Sequence, residues 1–495
     1  MLKKDGIYDA PSQLGWSKTI VLGIQHIFAM FGATVLVPIL TGLSVQVTLI
    51  CAGVGTLIFH LVTKRKVPAF LGSSFAFLAG YGAITAFSDG KFATMEMAEK
   101  LQYAGGGVIC AGAVYLIMAG LIKLVGIKKI IRFIPPVVTG PIIILIGLNL
   151  AATAVNNART NWVIAIIAIA TVVVCNIWGK KMIKIIPILM GILVPYVFCL
   201  ICSGLKAWVI PADAQGFLGF INGCAIDFSG LAGEKIIGLP PFALPKFDIS
   251  AILIMVPISL ATMMEHIGDI SAISATTGKN FTEDPGLHRT LLGDGLATML
   301  AGAVGGPANT TYGENTSVLT LSKVYDPKVV RIAAVGAIIL SLSPVFDGIV
   351  NSIPVAIVGG VSFVLYGMIS AIGVRNMVEN KIDLTKSRNL LIAAVILVSG
   401  LGFQTYPIKF AIGSANFEFG GLACAAIFGI VLNAILPNKR DEYDETQAPD
   451  TSITVSERAI EEAQKSEEKA PGKKAPAKKA TAAKKAPAKK AAAKK

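Results

Sequence analysis

The chain has 495 residues, of which 54% are hydrophobic and only 15% charged, against about 25% charged in an ordinary soluble domain. Mean hydropathy is positive, and apolar runs follow one another on short connections from Trp16 to Pro437. This excludes a string of soluble domains and predicts one continuous membrane bundle. The net charge of +14 is divided between residues 1–438, with 29 basic and 20 acidic side chains, and residues 439–495, with 15 and 10. Neither part needs a nucleic-acid partner to explain it.

At about 20 apolar residues per span, fourteen spans are predicted, centred near residues 28, 54, 78, 114, 144, 169, 194, 262, 296, 317, 337, 362, 394 and 428. The first apolar run, beginning at Trp16, is long enough to cross rather than be cleaved, so it reads as a first transmembrane helix and not a signal peptide. The third span opens on Pro68-Ala69-Phe70-Leu71-Gly72-Ser73-Ser74-Phe75. The tenth opens on Gly305-Gly306-Pro307-Ala308-Asn309-Thr310-Thr311-Tyr312-Gly313-Glu314. Proline and glycine there predict spans whose first half is not helical, of the kind that lines cavities.

Basic residues in the connecting loops set the orientation. Twenty-two fall on the side of the N-terminus and seven on the other, which predicts a multi-pass protein of the cell membrane with both termini in the cytoplasm. Self-comparison aligns Ile24-Gln25-His26-Ile27 with Met264-Glu265-His266-Ile267, Pro68-Ala69 with Pro307-Ala308, and Ile134-Pro135…Gly140 with Ile353-Pro354…Gly359. Seven spans per half is an odd number, so the second half is expected to be inverted relative to the first. Residues 439–495 are rich in Lys, Ala and Pro and cannot bury a core, which predicts a disordered tail, either a solubilising extension or an anionic-lipid contact.

The seven cysteines (Cys51, Cys110, Cys175, Cys199, Cys202, Cys224, Cys424) show no metal-ligand spacing and read as inert buried thiols. Three acids stand out instead. Glu265 and Asp269 are four apart in the eighth span and share a helical face, so one of them is an expected proton carrier. Glu314 follows Gly313 where an unwound chain meets a helix start, whose free N–H groups are donors beside a side-chain acceptor. That combination suits a small planar ligand with alternating N–H and C=O groups. His266 is a candidate proton relay, with hydrogen bonding between helices as its alternative, as for His26, Gln25, Asn309, Thr310 and Asn315. Ser362 and Tyr366, four apart on the twelfth span, form a hydroxyl face. No nucleophile and base or metal-ligand cluster falls in one place, so an enzyme is not expected.

Gln25-His26, Gly72-Ser73-Ser74-Phe75, Phe133-Ile134-Pro135-Pro136-Val137-Val138-Thr139-Gly140, Glu265-His266-Ile267-Gly268 and Gly305-Gly306-Pro307 through Glu314-Asn315 together resemble the nucleobase-ascorbate transporter family, most closely its bacterial uracil permeases. The resemblance runs from about residue 15 to 437 and implies an all-α polytopic membrane protein with a seven-plus-seven inverted repeat. It implies a core domain (16–126 and 248–345) and a gate domain (127–206 and 346–438), flanked by a cytoplasmic N-terminus (1–15), an extracytoplasmic loop (207–247) and the tail (439–495). The broken third and tenth spans would each begin with a short strand, the two pairing antiparallel.

Carried over, the resemblance implies that Glu265 and Glu314 accept hydrogen bonds from a uracil ring and that the N–H groups of Phe75 and Gly313 donate to it. Tyr312 would line the pocket, with Ser362 and Tyr366 facing it from the gate. Glu265, Asp269, Glu314 and His266 are the proton-coupling candidates, the coupling ion being a proton rather than sodium, and no cofactor is expected. Asp269 stands where some uracil permeases carry His and purine-transporting relatives carry Asp, so a purine or xanthine symporter remains the alternative. An anion transporter of the sulfate permease type comes third, because an acid beside the ligand would repel an anion. The expected partners are a nucleobase, the bilayer and, as an open option, a second copy of the chain.

Overall fold

The computed structural model describes residues 6–87, 92–126, 135–180, 182–208, 224, 226, 235–412 and 415–437. The predicted disordered tail and most of the predicted extracytoplasmic loop lie outside the described residues. The chain opens with a short helix α1 (Ala10–Leu14), then α2 (Trp16–Thr41) and α3 (Val45–Val62). A strand β1 (Leu71–Ser73) leads through a single 3-10 turn, Phe75–Phe77, into α4 (Leu78–Thr85). There follow α5 (Met97–Val125), α6 (Pro136–Ala158), α7 (Trp162–Ile177), α8 (Met182–Ile185) and α9 (Pro187–Trp208).

The second half repeats the theme. Helix α10 (Ile249–Thr277) and α11 (Leu287–Ala303) precede a strand β2 (Asn309–Thr311), which runs into α12 (Gly313–Ser322). Next come α13 (Pro327–Ser341), α14 (Pro344–Asn351), α15 (Val355–Glu379) and α16 (Ser387–Thr405). A hairpin of β3 (Ile408–Ile412) and β4 (Ala415–Phe419) leads to α17 (Gly421–Ile435). Among the described residues eight helices are long and apolar enough to cross a membrane, or nine if α13 and α14, bent by 88°, form one span. Phe75–Thr85, α7 and α17 are shorter apolar helices. Each of the fourteen predicted centres falls within a helix.

Local signals explain several boundaries. Ser44 starts α3 by accepting a bond from the Val47 N–H at 3.3 Å, and Asp248 starts α10 by accepting from Ser250 N–H at 2.8 Å, each satisfying a donor the first turn leaves free. Gly42, at φ 77°, ends α2 in the left-handed conformation that costs glycine nothing. Asp326 both starts α13 and accepts from the Ala10 N–H, at 2.9 Å in each case. The segment before α2 is thereby docked: Ile7 bridges Val324 in parallel, and the Tyr8 hydroxyl donates to the Thr277 carbonyl at 2.6 Å.

The long helices pack in recurring pairs. Helix α3 lies against α13 and α11 against α5; α15 lies against α6, and α16 against α17. Close approach depends on small residues, as it does where apolar burial gives no preference for helix over lipid. At the α6–α15 crossing a Cβ on Gly373 would lie 2.7 Å from the Gly140 carbonyl oxygen.

The two broken segments meet deep in this bundle. Strands β1 and β2 pair antiparallel, with Leu71 opposite Thr311, Gly72 opposite Thr310 and Ser73 opposite Asn309. The ladder is extended by Ser74 N–H to Ala308 at 2.8 Å and Tyr312 N–H to Phe70 at 3.0 Å. Side chains of flanking helices satisfy what remains: Thr56 donates to the Leu71 carbonyl at 3.1 Å and accepts from its N–H at 2.9 Å, and Thr298 donates to the Asn309 carbonyl at 2.9 Å. All six strand residues are buried. The Tyr312 ring covers Gly72, where any Cβ would run into it. Gly72→Ala should therefore destabilise the protein by about 1–3 kcal/mol through overpacking, seen as a lower midpoint of thermal unfolding in detergent; an unchanged midpoint would contradict this packing.

Candidate functional site

The strand pair ends where two helices begin, and this sets the chemistry of the site. Phe75 opens the 3-10 turn, and Gly313 is the first residue of α12. Helix starts leave their first N–H groups without intrahelical partners, so both broken segments bring donors to the same region. Glu314 lies in the first turn of α12, half-buried, and its carboxylate accepts from its own backbone N–H. It thus partly caps the helix while keeping acceptor capacity.

Helix α10 supplies the facing acids. The Asp269 carboxylate accepts from the Thr311 hydroxyl at 2.7 Å, and a Cβ on Gly313 would lie 3.8 Å from Asp269 Oδ1. Asp269 therefore abuts the junction of β2 and α12. Glu265, one turn earlier, is in electrostatic reach of Asp269, Glu314 and Asp294. It keeps solvent-accessible surface although it lies deep among protein atoms, as a side chain lining an internal cleft does. Gly313 is exposed and Phe75 half-buried in the same sense. Four acids and two helix starts are thus gathered from α10, α11 and the broken segments.

Tyr312 is 3% exposed and works mainly as a clasp. Its hydroxyl donates to the Ser73 carbonyl at 2.9 Å, lies 3.1 Å from the Ser73 hydroxyl and accepts from Thr34 at 3.4 Å. It ties β2 to β1 and to α2. Ser362 and Tyr366 are buried on α15, Tyr366 among apolar side chains.

The histidines link helices. His26 on α2 lies with its Nδ1 3.1 Å from Asn315 Nδ2, which also donates to the His26 carbonyl at 3.2 Å. His266, fully buried on α10, places Nδ1 2.9 Å from Asp294 Oδ2 on α11. Asp294 escaped the sequence reading. The signal was present, since Gly293-Asp294-Gly295 is an acid between glycines within an apolar segment, but only packing pairs it with His266. Asn309 fixes β2 to α3 by donating to the Cys51 carbonyl at 3.1 Å.

The chain matches the model of a family described as "Permease family" over residues 17–409. It is 38% identical over 448 residues to a protein named uracil permease from Bacillus caldolyticus, covering 88% of this chain and 94% of the relative. It is 37% identical over 460 residues to the uracil permease of Bacillus subtilis, covering 89% and 97%. A third relative, the putative pyrimidine permease RutG of Escherichia coli, is 36% identical over 440 residues, covering 88% and 93%. Among solved structures it is similar to the transmembrane domain of the cyanobacterial bicarbonate transporter BicA, with a TM-score of 0.54, 14% identity and coverage of 86% and 98%. It is also similar to SLC26A9, with a TM-score of 0.58, 11% identity and coverage of 86% and 66%. At such identities the structural likeness concerns the fold alone, that of a mostly helical, multi-pass membrane protein.

Thr311→Val should cost roughly 1–3 kcal/mol of stability, because it leaves the Asp269 carboxylate without its donor. Thr311→Ser, which retains the hydroxyl, should unfold close to wild type, and equal unfolding temperatures for the two variants would show that the bond does not form.

Proposed function

The chain belongs to the Permease family, and from that membership we propose that it imports uracil by proton symport through alternating access. The observation that carries the proposal is the meeting of acceptors and donors at the ends of β1 and β2. Carboxylates of Glu265 and Glu314 lie with the helix-start N–H groups of Phe75 and Gly313. A uracil ring offers alternating N–H and C=O groups, so its N–H groups would donate to the glutamates and its carbonyls would accept from the backbone. Full-length relatives named uracil permeases support the same ligand.

The reading includes fourteen spans in a seven-plus-seven inverted repeat, in the cell membrane, with both termini cytoplasmic. Its support is the exchange of packing partners between halves: α3 against α13 corresponds to α11 against α5, and α7 against α9 to α16 against α17. Thr56 bonding β1 and Thr298 bonding β2 correspond in the same way. Residues 16–126 and 248–345 would form the core that holds substrate, and 127–206 and 346–438 the gate. Tyr312 would shape the pocket, while Ser362 and Tyr366 would face it from the gate as the core moves. Glu265, Asp269 and Glu314 would share the coupling proton, with His266 linked through Asp294.

The second reading, a purine or xanthine symporter, rests on Asp269. Transport of an anion, by analogy with proteins of similar fold, is disfavoured by the acids around the site.

Glu265→Gln and Glu314→Gln should each lower uracil uptake about 10- to 100-fold, the loss of a charge-assisted hydrogen bond, at equal surface expression. Near wild-type uptake by either would sink the site. Xanthine, hypoxanthine and uric acid should compete poorly against labelled uracil, and a proton ionophore should abolish accumulation. Strong purine competition would favour the second reading, and accumulation that needs sodium instead would reverse the ion assignment.

A further inference from the structure

Three of the seven cysteines, scattered in sequence, converge in the fold. Cys199 and Cys202 sit three apart on α9, and Cys224 packs beside them; the three are 0%, 3% and 1% exposed. The thiols of Cys202 and Cys224 are in hydrogen-bond contact. Two further bonds hold the chain near Cys224 in place. Asn161, at the start of α7, donates its side-chain N–H to Cys224 Sγ at 3.4 Å, and the Ile226 N–H donates to the Ser203 hydroxyl at 2.7 Å. Residues 224 and 226 are thereby pinned between the end of α9 and the start of α7. Among the described residues no three His, Cys, Asp or Glu side chains are arranged to hold a metal ion.

The place of the pair along α9 matters. The chain before α9 carries Lys180, Lys181 and Lys184, the cytoplasmic side by the charge bias, and Cys202 lies toward the opposite end. On that orientation this end is extracytoplasmic, the side on which disulfides form and persist.

We propose that Cys202 and Cys224 form a disulfide on the extracytoplasmic side, tethering the loop after α9 to α9 itself; this rests on the orientation proposed above. Both thiols are free and buried, and the Ile226–Ser203 bond brings the chain next to Cys224 against the residue next to Cys202; the bridge closes the sulfurs to about 2.05 Å. The step is thiol–disulfide exchange with an extracytoplasmic disulfide reagent, either a disulfide-bearing oxidoreductase or a small disulfide. One thiolate attacks the reagent's S–S bond and releases a thiol, and the second thiolate then displaces the other reagent sulfur. Two electrons pass to the reagent, which leaves as two thiols carrying the two protons. Cys199, deeper in α9, stays reduced.

The full-length protein in cell membranes, denatured in detergent and labelled with a maleimide of large mass, tests this. Wild type should take two more labels after prior reduction than without it, read as a gel shift. The gain should vanish in Cys202→Ser and in Cys224→Ser and persist in Cys199→Ser. No gain in wild type, or a gain that survives both serine variants, overturns the bridge. Orientation is read separately. Lys235→Cys, in a chain also carrying Cys202→Ser and Cys224→Ser, should react with a membrane-impermeant maleimide on intact cells. Labelling only after the cells are opened would place the pair in a reducing compartment and overturn the proposal on that ground.

Discussion

The candidate site depends on a two-stranded pairing of three residues on each side. Helix-breaking proline and glycine leave the segments before α4 and α12 unable to satisfy their own backbone, a cost of several kcal/mol per unpaired group in an apolar interior. Pairing β1 with β2 meets that cost, and the hydroxyls of Thr56 and Thr298 extend the satisfaction into the flanking helices. Tyr312 closes the arrangement by bonding Ser73 and covering Gly72. A helix start then follows each strand, one at either end of the short ladder.

Around those helix starts the chain places acids rather than bases. Glu265 and Asp269 arrive together because they are one turn apart on α10, and Glu314 because it follows the β2 turn. Asp294 adds a fourth through α11 and is held to α10 by His266. The fold is shared with a bicarbonate transporter, which separates architecture from chemistry: a fold does not fix function, which belongs to the side chains of a site.

Much of this was legible in the linear chain. Pro68 and Pro307 marked the breaks because proline and glycine act locally, and the i, i+4 spacing of Glu265 and Asp269 placed both on one face. The docking of the first residues was not legible, since Ile7, Tyr8 and Ala10 find partners hundreds of residues away. Nor was the depth of burial of Ser362 and Tyr366 on α15. The cysteines read as seven unrelated thiols until α9 and residue 224 came together.

The sequence by itself determined what belongs to single segments: apolar length, the positions of helix breaks, and the acids too costly to bury without a use. Tertiary structure alone decided which of these meet. The register of Leu71 with Thr311, the bond from Thr311 to Asp269, the pairing of His266 with Asp294 and the contact of Cys202 with Cys224 join groups between 22 and 240 residues apart. Local propensity carries no information across such separations, because they are settled only when buried polar groups compete for a limited set of partners.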